Sequence, residues 1–239
     1  MIESPQNEKL KLVRKLRDRK HREREGLFAT EGEDLLEAGL AAGAEPRFVL
    51  VAADSGLQGE EVEAGLLADV SVLGSSTRVV AVWPLQWSER PVSPCFYLHG
   101  VGDPGNVGTI VRTLDALVGS SVVLGPDTAD PFSPKAVRAS MGSIFSQPPI
   151  KGGIDATGEP RVALVPNGGE ELDTLSGAAT VCLGAEREGL PDAVLAQCDS
   201  RVTIPLRAGG PESLNVAAAA AIAAQRISSL AMTEPRPDA

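Results

Sequence analysis

A chain of 239 residues with 43% hydrophobic side chains can bury one large core or two modest ones. Aromatics make up only 3%, so the core must be Leu, Val, Ile and Ala, and a base-stacking platform of exposed rings is excluded. The net charge of −10 argues against a basic nucleic-acid surface spread over the whole molecule, and two histidines exclude a histidine-rich metal site.

The charge is unevenly placed. Residues 1–30 hold nine Lys or Arg against five Asp or Glu, and the rest of the chain thirteen against twenty-seven. Most of the first group lies in "KLKLVRKLRDRKHRER", Lys9 to Arg24, inside a predicted helix over 8–25. Two readings stay open there. A short basic segment on an acidic body is a phosphate contact. The same spacing also makes a solvated amphipathic helix with Leu10, Val13 and Leu16 inward.

"GLFATEG" reads as a short extended piece and Glu31 to Ala42 as a second helix. "RFVLVA", Arg47 to Ala52, reads as a strand, Gln58 to Ala68 as a helix, and "VSVLG" and "TRVVAVW" as strands. Together they make a small α/β unit. "PLQWSERPVSPC" carries Pro84, Pro91 and Pro94 and reads as a linker. The expected boundary lies near residue 90, between a domain over 1–90 and another over 95–232.

From Cys95 the pattern is cleaner. "CFYLHGV" is a strand, "GNVGTIVRTLDALVG" a loop and helix, "SVVLG" a strand and "SPKAVRASMG" a helix. "RVALVP" and "TVCLG" are strands, "PDAVLAQC" is a helix opened by Pro191, "RVTIPL" is a strand, and an alanine-rich helix follows. Short apolar strands alternating with helices predict a mostly parallel sheet covered on both faces. Ligands of such sheets sit beyond the carboxyl ends of the strands.

Three segments fall at those ends. "HGVGDPGNVGTIVRT" has Gly102, Gly105 and Gly108 for close backbone approach, Asn106 just before a helix, and Arg112 within its first turns. A cation there opposes the helix macrodipole, a small cost that points to a task such as holding phosphate. "LGAEREGLP" sets Glu186, Arg187 and Glu188 between two glycines. "IPLRAGGPESLNVAAAAAIAAQR" passes through Gly209-Gly210 to a helix start bearing Glu212, Ser213 and Asn215. Ser and Asn there are helix caps, ligand contacts, or both. Neither a dinucleotide-binding G-x-G-x-x-G nor a G-x-x-x-x-G-K-[ST] loop occurs. Cys95, Cys182 and Cys198 form no CxxC pair and read as buried thiols of a reducing compartment. The N-terminus has no apolar signal core, and no apolar run approaches the ~18 residues of a membrane span. A cytoplasmic protein is expected.

In their order and spacing, "DPGNVGTIVRT", "LGAEREGLP" and "IPLRAGGPESLNVAAAAAI" resemble the three motifs of the SpoU (TrmH-like) RNA methyltransferases, a branch of the SPOUT superfamily. "RKHREREGLFATEGEDLLEAGL" resembles that family's N-terminal substrate-binding domain, which is similar to small ribosomal proteins. The resemblance implies an α/β protein with a C-terminal trefoil-knotted parallel-sheet domain behind a small ribosomal-protein-like α/β domain. It implies methyl transfer from S-adenosylmethionine to a ribose 2′-hydroxyl of ribosomal or transfer RNA, with no metal. Leu183, Gly184, Ile204, Leu206 and Leu214 would line the cofactor site. Asn106, Arg112, Glu186, Ser213 and Asn215 would surround the reaction. A homodimer with the last helix at its interface is implied too, where Ala217–Ala221, Ala223 and Ala224 suit close packing. The loop between Ile204 and Ser213 is one residue longer than the commonest family form. The alternatives carried alongside are an inactive RNA-binding protein of the same fold, a base-methylating or small-molecule SPOUT enzyme, and a structural ribosomal protein.

Overall fold

A computed structural model describes residues 1–72 and 77–233. Its contacts divide the chain into two compact units, Met1–Gln86 with Asp130–Ser146, and Trp87–Ala129 with the residues from Gln147 onward.

In the first unit, α1 (Glu8–Lys15) starts at Asn7, whose side chain accepts from the Lys9 N–H at 2.9 Å. Leu10, Val13 and Leu16 are buried, as the amphipathic reading requires. The single helix expected over 8–25 is broken, however, and α2 (Arg19–Glu25) follows Asp18, which is extended at φ −90°, ψ 131°. The break has an identifiable cause. Arg22 is 3% exposed, and its guanidinium donates to the Leu16 and Arg17 carbonyls at 2.7 Å each. Those oxygens would otherwise serve a continuous helix. The same side chain donates to Asp130 Oδ2 at 2.8 and 2.6 Å.

A four-stranded sheet follows. β1 (Leu27–Glu31) and β2 (Phe48–Ala52) both pair antiparallel with β4 (Val79–Pro84), and β3 (Glu60–Val62) adds parallel to β2. Helices α3 (Glu33–Ala41) and α4 (Ala64–Val70) complete this part. The helix expected over Gln58–Ala68 is therefore a strand and a shorter helix. Val62 is fully buried on the edge of β2, and this tertiary pairing overrides local helix propensity. Of the strand expected at "VSVLG", Val70 instead closes α4, and residues 73–74 lie outside the described residues.

The second unit opens with β5 (Cys95–Leu98), α5 (Pro104–Leu117) and β6 (Ser121–Leu124). The following segment belongs to the first unit. Its helices α6 (Pro134–Ser140) and α7 (Ser143–Ser146) carry Val137, Ile144 and Phe145 into a core with Phe28, Leu35 and Trp83. The second unit resumes with β7 (Ile150–Lys151), β8 (Arg161–Leu164), β9 (Glu170–Glu171), β10 (Thr180–Leu183), α8 (Asp192–Leu195), β11 (Ser200–Thr203) and α9 (Val216–Thr233).

Its seven strands are all parallel, in the order β7-β6-β5-β10-β8-β11-β9. Alternation along the strands covers both faces. Phe96, Leu98, Val122, Val181 and Leu183 meet Val107, Ile110 and Leu114 of α5 and Ala220, Ala223 and Ala224 of α9. Tyr97, Val123, Ala163 and Cys182 point the other way, toward Val194 of α8. Four of the alanines expected at a subunit interface, Ala217, Ala220, Ala223 and Ala224, are thus buried within their own chain. β10 lies between β5 and β8, although both precede it in sequence. From β5 the chain steps outward to β6, and from β10 it continues past β8 to β11. This divergence opens a crevice at the carboxyl ends of β5 and β10.

Candidate active site

The loops after β5, β10 and β11 supply the polar groups of the crevice. Asp103 caps α5, accepting from the Asn106 N–H at 3.0 Å, and Pro104 occupies the first helical position. Asn106 is thus the third residue of α5, not a residue ahead of it. After β10 the chain turns back on itself, with Ala185 and Gly189 exchanging backbone hydrogen bonds of 3.1 and 3.0 Å. Gly184 must lack a side chain here, because a Cβ would lie 2.1 Å from the Gly189 carbonyl carbon. At the start of α9, Asn215 Oδ1 accepts from the N–H groups of Ala217 at 2.9 Å and Ala218 at 3.3 Å.

These three loops are joined side chain to side chain. Asn215 Nδ2 donates to Asn106 Oδ1 at 3.1 Å. Asn106 Nδ2 donates to Glu186 Oε1 at 2.8 Å, and the Gly102 N–H donates to Glu186 Oε2 at 3.3 Å. The direction of the relay follows from chemistry. The backbone N–H groups of α9 can only donate, so they fix Asn215 with its oxygen toward the helix and its nitrogen toward Asn106. Asn106 then turns its own nitrogen to Glu186, which must be an ionised acceptor. Burial pulls the Glu186 carboxyl upward, but the Asn106 side chain and the backbone N–H groups of Glu186, Gly102 and Asp103 outweigh it. The group is held below the ordinary carboxylate value of 4.5.

Beside the relay lies a cavity of about 280 Å³ at the ends of β8, β10 and β11. Leu183, Gly184, Ile204, Leu206 and Leu214 all line it, together with Glu186, Ser213, Pro166 and Asn167. A wider open basin adjoins it, shares Ala185, Glu186 and Arg187 with it, and is lined by Asn106 and Asn215. Sequence reasoning missed the Pro166-Asn167 wall. The same strand-end rule applied to "RVALVP" would have found it.

Two expectations need correction. Ser213 makes no capping bond, and Asn215 alone caps α9. Arg112 is the ninth residue of α5, beyond the first turn where the macrodipole acts, so it does not bear the cost expected of it. It is exposed, lines neither the cavity nor the basin, and makes no hydrogen bond or ion pair with any described residue. Glu186 engages Asn106 and Gly102, not Arg112.

The same architecture recurs in solved structures. The AdoMet-bound rRNA methyltransferase from Sinorhizobium meliloti superimposes with a TM-score of 0.85 at 27% identity, over 96% of this chain and 97% of that one. The SpoU methyltransferase AviRb from Streptomyces viridochromogenes, in complex with AdoMet, shares the fold with a TM-score of 0.84 at 23% identity, over 96% and 100%. A seven-stranded parallel sheet with β10 threaded between two earlier strands, and its crevice at their carboxyl ends, defines a SPOUT-type methyltransferase domain. More narrowly, the chain belongs to the SpoU rRNA Methylase family, whose sequence model matches residues 94–225. An MRM3-like substrate binding domain matches residues 7–82. The 23S rRNA (guanosine(2553)-2'-O)-methyltransferase RlmP of Bacillus subtilis is 30% identical over 92% of this chain and 96% of its own length.

Proposed function

We propose that the chain transfers a methyl group from S-adenosylmethionine to a ribose 2′-hydroxyl of RNA, with ribosomal RNA the first substrate to offer. The observation that carries this is the Asn215–Asn106–Glu186 relay along the rim of the cavity. An inactive RNA-binding descendant would have no use for an ionised carboxylate held by two loops at the mouth of a ligand cavity. The family membership and the B. subtilis relative's action on 23S rRNA support the same reading.

The cavity suits the cofactor. Leu206 and Leu214 are 37% and 39% exposed, which leaves apolar surface for a flat ring. Gly184 bares the backbone, and Leu183 and Ile204 close the floor. S-adenosylmethionine supplies a methyl group already activated by its sulfonium charge. What remains for the protein is alignment of the hydroxyl oxygen, which is worth ~7 kcal/mol or more. Asn106 and Asn215 orient the ribose, Glu186 holds them in register, and Ser213 positions the sugar from the cavity wall. Arg112 cannot accept the proton, because a guanidinium has no acceptor. Its unspent donors suit it to clamp an RNA phosphate outside the crevice, away from the reacting oxygen. A phosphate oxygen or water takes the proton.

The trefoil knot, a homodimer through the exposed face of α9 around Ala218 and Ile222, and a cytoplasmic setting belong to the same reading. The insertion of β10 between earlier strands supports the knot, and the three free cysteines support a reducing compartment. The test is incubation with methyl-labelled S-adenosylmethionine and unmodified ribosomal or transfer RNA, followed by digestion to nucleosides. Label in one 2′-O-methylnucleoside is expected. Label on a base would overturn ribose specificity. Cofactor and RNA binding without transfer to any RNA would favour the inactive protein.

A further inference from the structure

The turn after β10 sets a cation where two spaces meet. Ala185 and Gly189 exchange their backbone hydrogen bonds, so residues 186–188 form the tip between them. Arg187 is the middle residue of that tip. The tip is exposed, yet it is held in place. Gly184 approaches Gly189 too closely for any side chain, and Glu186 is tied to Asn106 and the Gly102 N–H. Arg187 lines both the cavity at the ends of β8, β10 and β11 and the open basin beside it. Its guanidinium makes no hydrogen bond or ion pair with any described residue.

The charges around it give the position its meaning. Among the described residues lining these two spaces, Arg187 is the one cation, against the carboxylates of Asp103, Glu186, Glu188 and Glu212. A phosphodiester brought here is repelled unless a cation meets it, and Glu186 stays ionised beside its path. Arg112, the cation expected at this place, lines neither space. The demand is set by the geometry of RNA itself. A ribose carries its 2′-hydroxyl on the carbon next to the one that bears the 3′-phosphodiester. Seating the 2′-oxygen toward the cavity therefore carries a phosphate to the boundary with the basin. A guanidinium fork matches two oxygens of such a group.

We infer that Arg187 holds the phosphodiester next to the target ribose and thereby positions the 2′-oxygen for transfer. The inference rests on the RNA methyltransferase reading above and supplies the phosphate contact inside the crevice that Arg112 cannot make. The free carboxylate of S-adenosylmethionine is the other oxyanion at hand. Arg187 favours the phosphate because it also lines the basin, on the side of Asn106 and Asn215, neither of which lines the cavity.

The test uses the RNA that accepts label from the wild-type protein. Arg187→Gln is expected to raise the KM for that RNA about tenfold and to flatten the salt dependence of binding by about 0.7–0.9 in log–log slope. S-adenosylmethionine affinity, measured by calorimetry, should not change. Arg187→Lys should restore the slope, since it keeps the charge, but only part of the KM, since an ammonium has no fork. Both variants should melt as the wild type does, because the side chain bonds to nothing in the fold. Arg201→Gln, an exposed cation in the first half of β11 and so toward the end of the sheet away from the crevice, is the control and should keep the wild-type KM and slope. A wild-type KM and slope in Arg187→Gln overturns the inference and leaves the methyltransferase reading intact. So does an equal fall in slope for Arg187→Gln and Arg201→Gln, which would make the effect one of overall charge. Weakened S-adenosylmethionine binding with an unmoved slope would assign Arg187 to the cofactor carboxylate and overturn it too. Failure of the wild-type protein to label any RNA removes the reading on which the inference rests.

Discussion

Asn215 performs two tasks with one amide, and they can be separated. Its oxygen caps α9 and its nitrogen holds Asn106. Asn215→Asp keeps the cap and adds a charge that a helix N-terminus favours, but it presents only acceptors to Asn106. The expected result is an unchanged or slightly higher melting temperature with a large loss of methyl transfer. Asn215→Ala should lose both, with about 1 kcal/mol of stability going with the cap. Thermal unfolding and single-turnover transfer on the two variants check this. Glu186, at the other end of the relay, gives a prediction of defined sign. Its folded pKa is depressed, so its contribution is present above the unfolded value near 4.5 and is lost as pH falls through the lower folded one. A carboxyl-carbon NMR titration should place its midpoint below 4.5 in the wild type. In Asn106→Asp the midpoint should rise, since a carboxylate would replace the donor now 2.8 Å away.

At the scale of elements, the turn after β10 and the break after α1 are both held by single residues. Gly184→Ala forces a Cβ into the Gly189 carbonyl. The turn must open, and overpacking of about 1–3 kcal/mol should appear mainly as weakened S-adenosylmethionine binding in calorimetry. Arg22→Met strips the Leu16 and Arg17 carbonyls and leaves Asp130, 13% exposed at its side chain, without its cation. Breaking such a pair costs about 3–5 kcal/mol, readable as a lower urea midpoint for the first unit. These elements also mark how far the sequence could be read. The parallel sheet and its loops were legible because β5, β6 and β10 are mostly buried apolar runs with a glycine one or two residues beyond their ends, and β8 and β11 end just ahead of a proline. The expectation of Leu10, Val13 and Leu16 facing inward held because a helical period writes it directly. The division of residues 8–25 was hidden because Arg22, a surface residue by type, turns inward to a partner 108 positions away. β3, β7 and β9 were hidden because two or three residues carry no period, and only their neighbours make them strands. In the crevice, the ten residues implied by the motifs divide. Seven line the cavity, Glu186 and Ser213 among them; Glu186 forms the relay with Asn106 and Asn215, Ser213 makes no hydrogen bond with any described residue, and Arg112 stands apart.

For the whole molecule the question is how a chain of net charge −10 holds RNA at all. The basic run from Lys9 to Arg24 is less free than its composition implies. Lys9 pairs with Glu60, Lys11 with Glu8, Arg19 with Glu23 and Arg24 with Glu25, while Arg22 is buried against Asp130. Arg14 and Arg17 donate to the Pro5 and Ser71 carbonyls. Lys15 and Lys20 make no hydrogen bond or ion pair with any described residue, and both are exposed. The amphipathic reading of the run therefore holds, and the room it leaves for a phosphate contact is narrow. Most of its charge neutralises the protein's own carboxylates, and two lysines remain for phosphate. Each phosphate neutralised releases counterions and steepens the salt dependence of binding by about 0.7–0.9 in log–log slope. Lys15→Gln/Lys20→Gln should therefore flatten the slope by roughly 1.5 and weaken binding equally on all RNA sequences. Lys11→Gln/Arg19→Gln, which removes cations already paired on their own helices, should leave the slope close to wild type. A slope that falls equally in both double variants would mean that these exposed ion pairs open when RNA arrives, each contributing too little to resist the exchange.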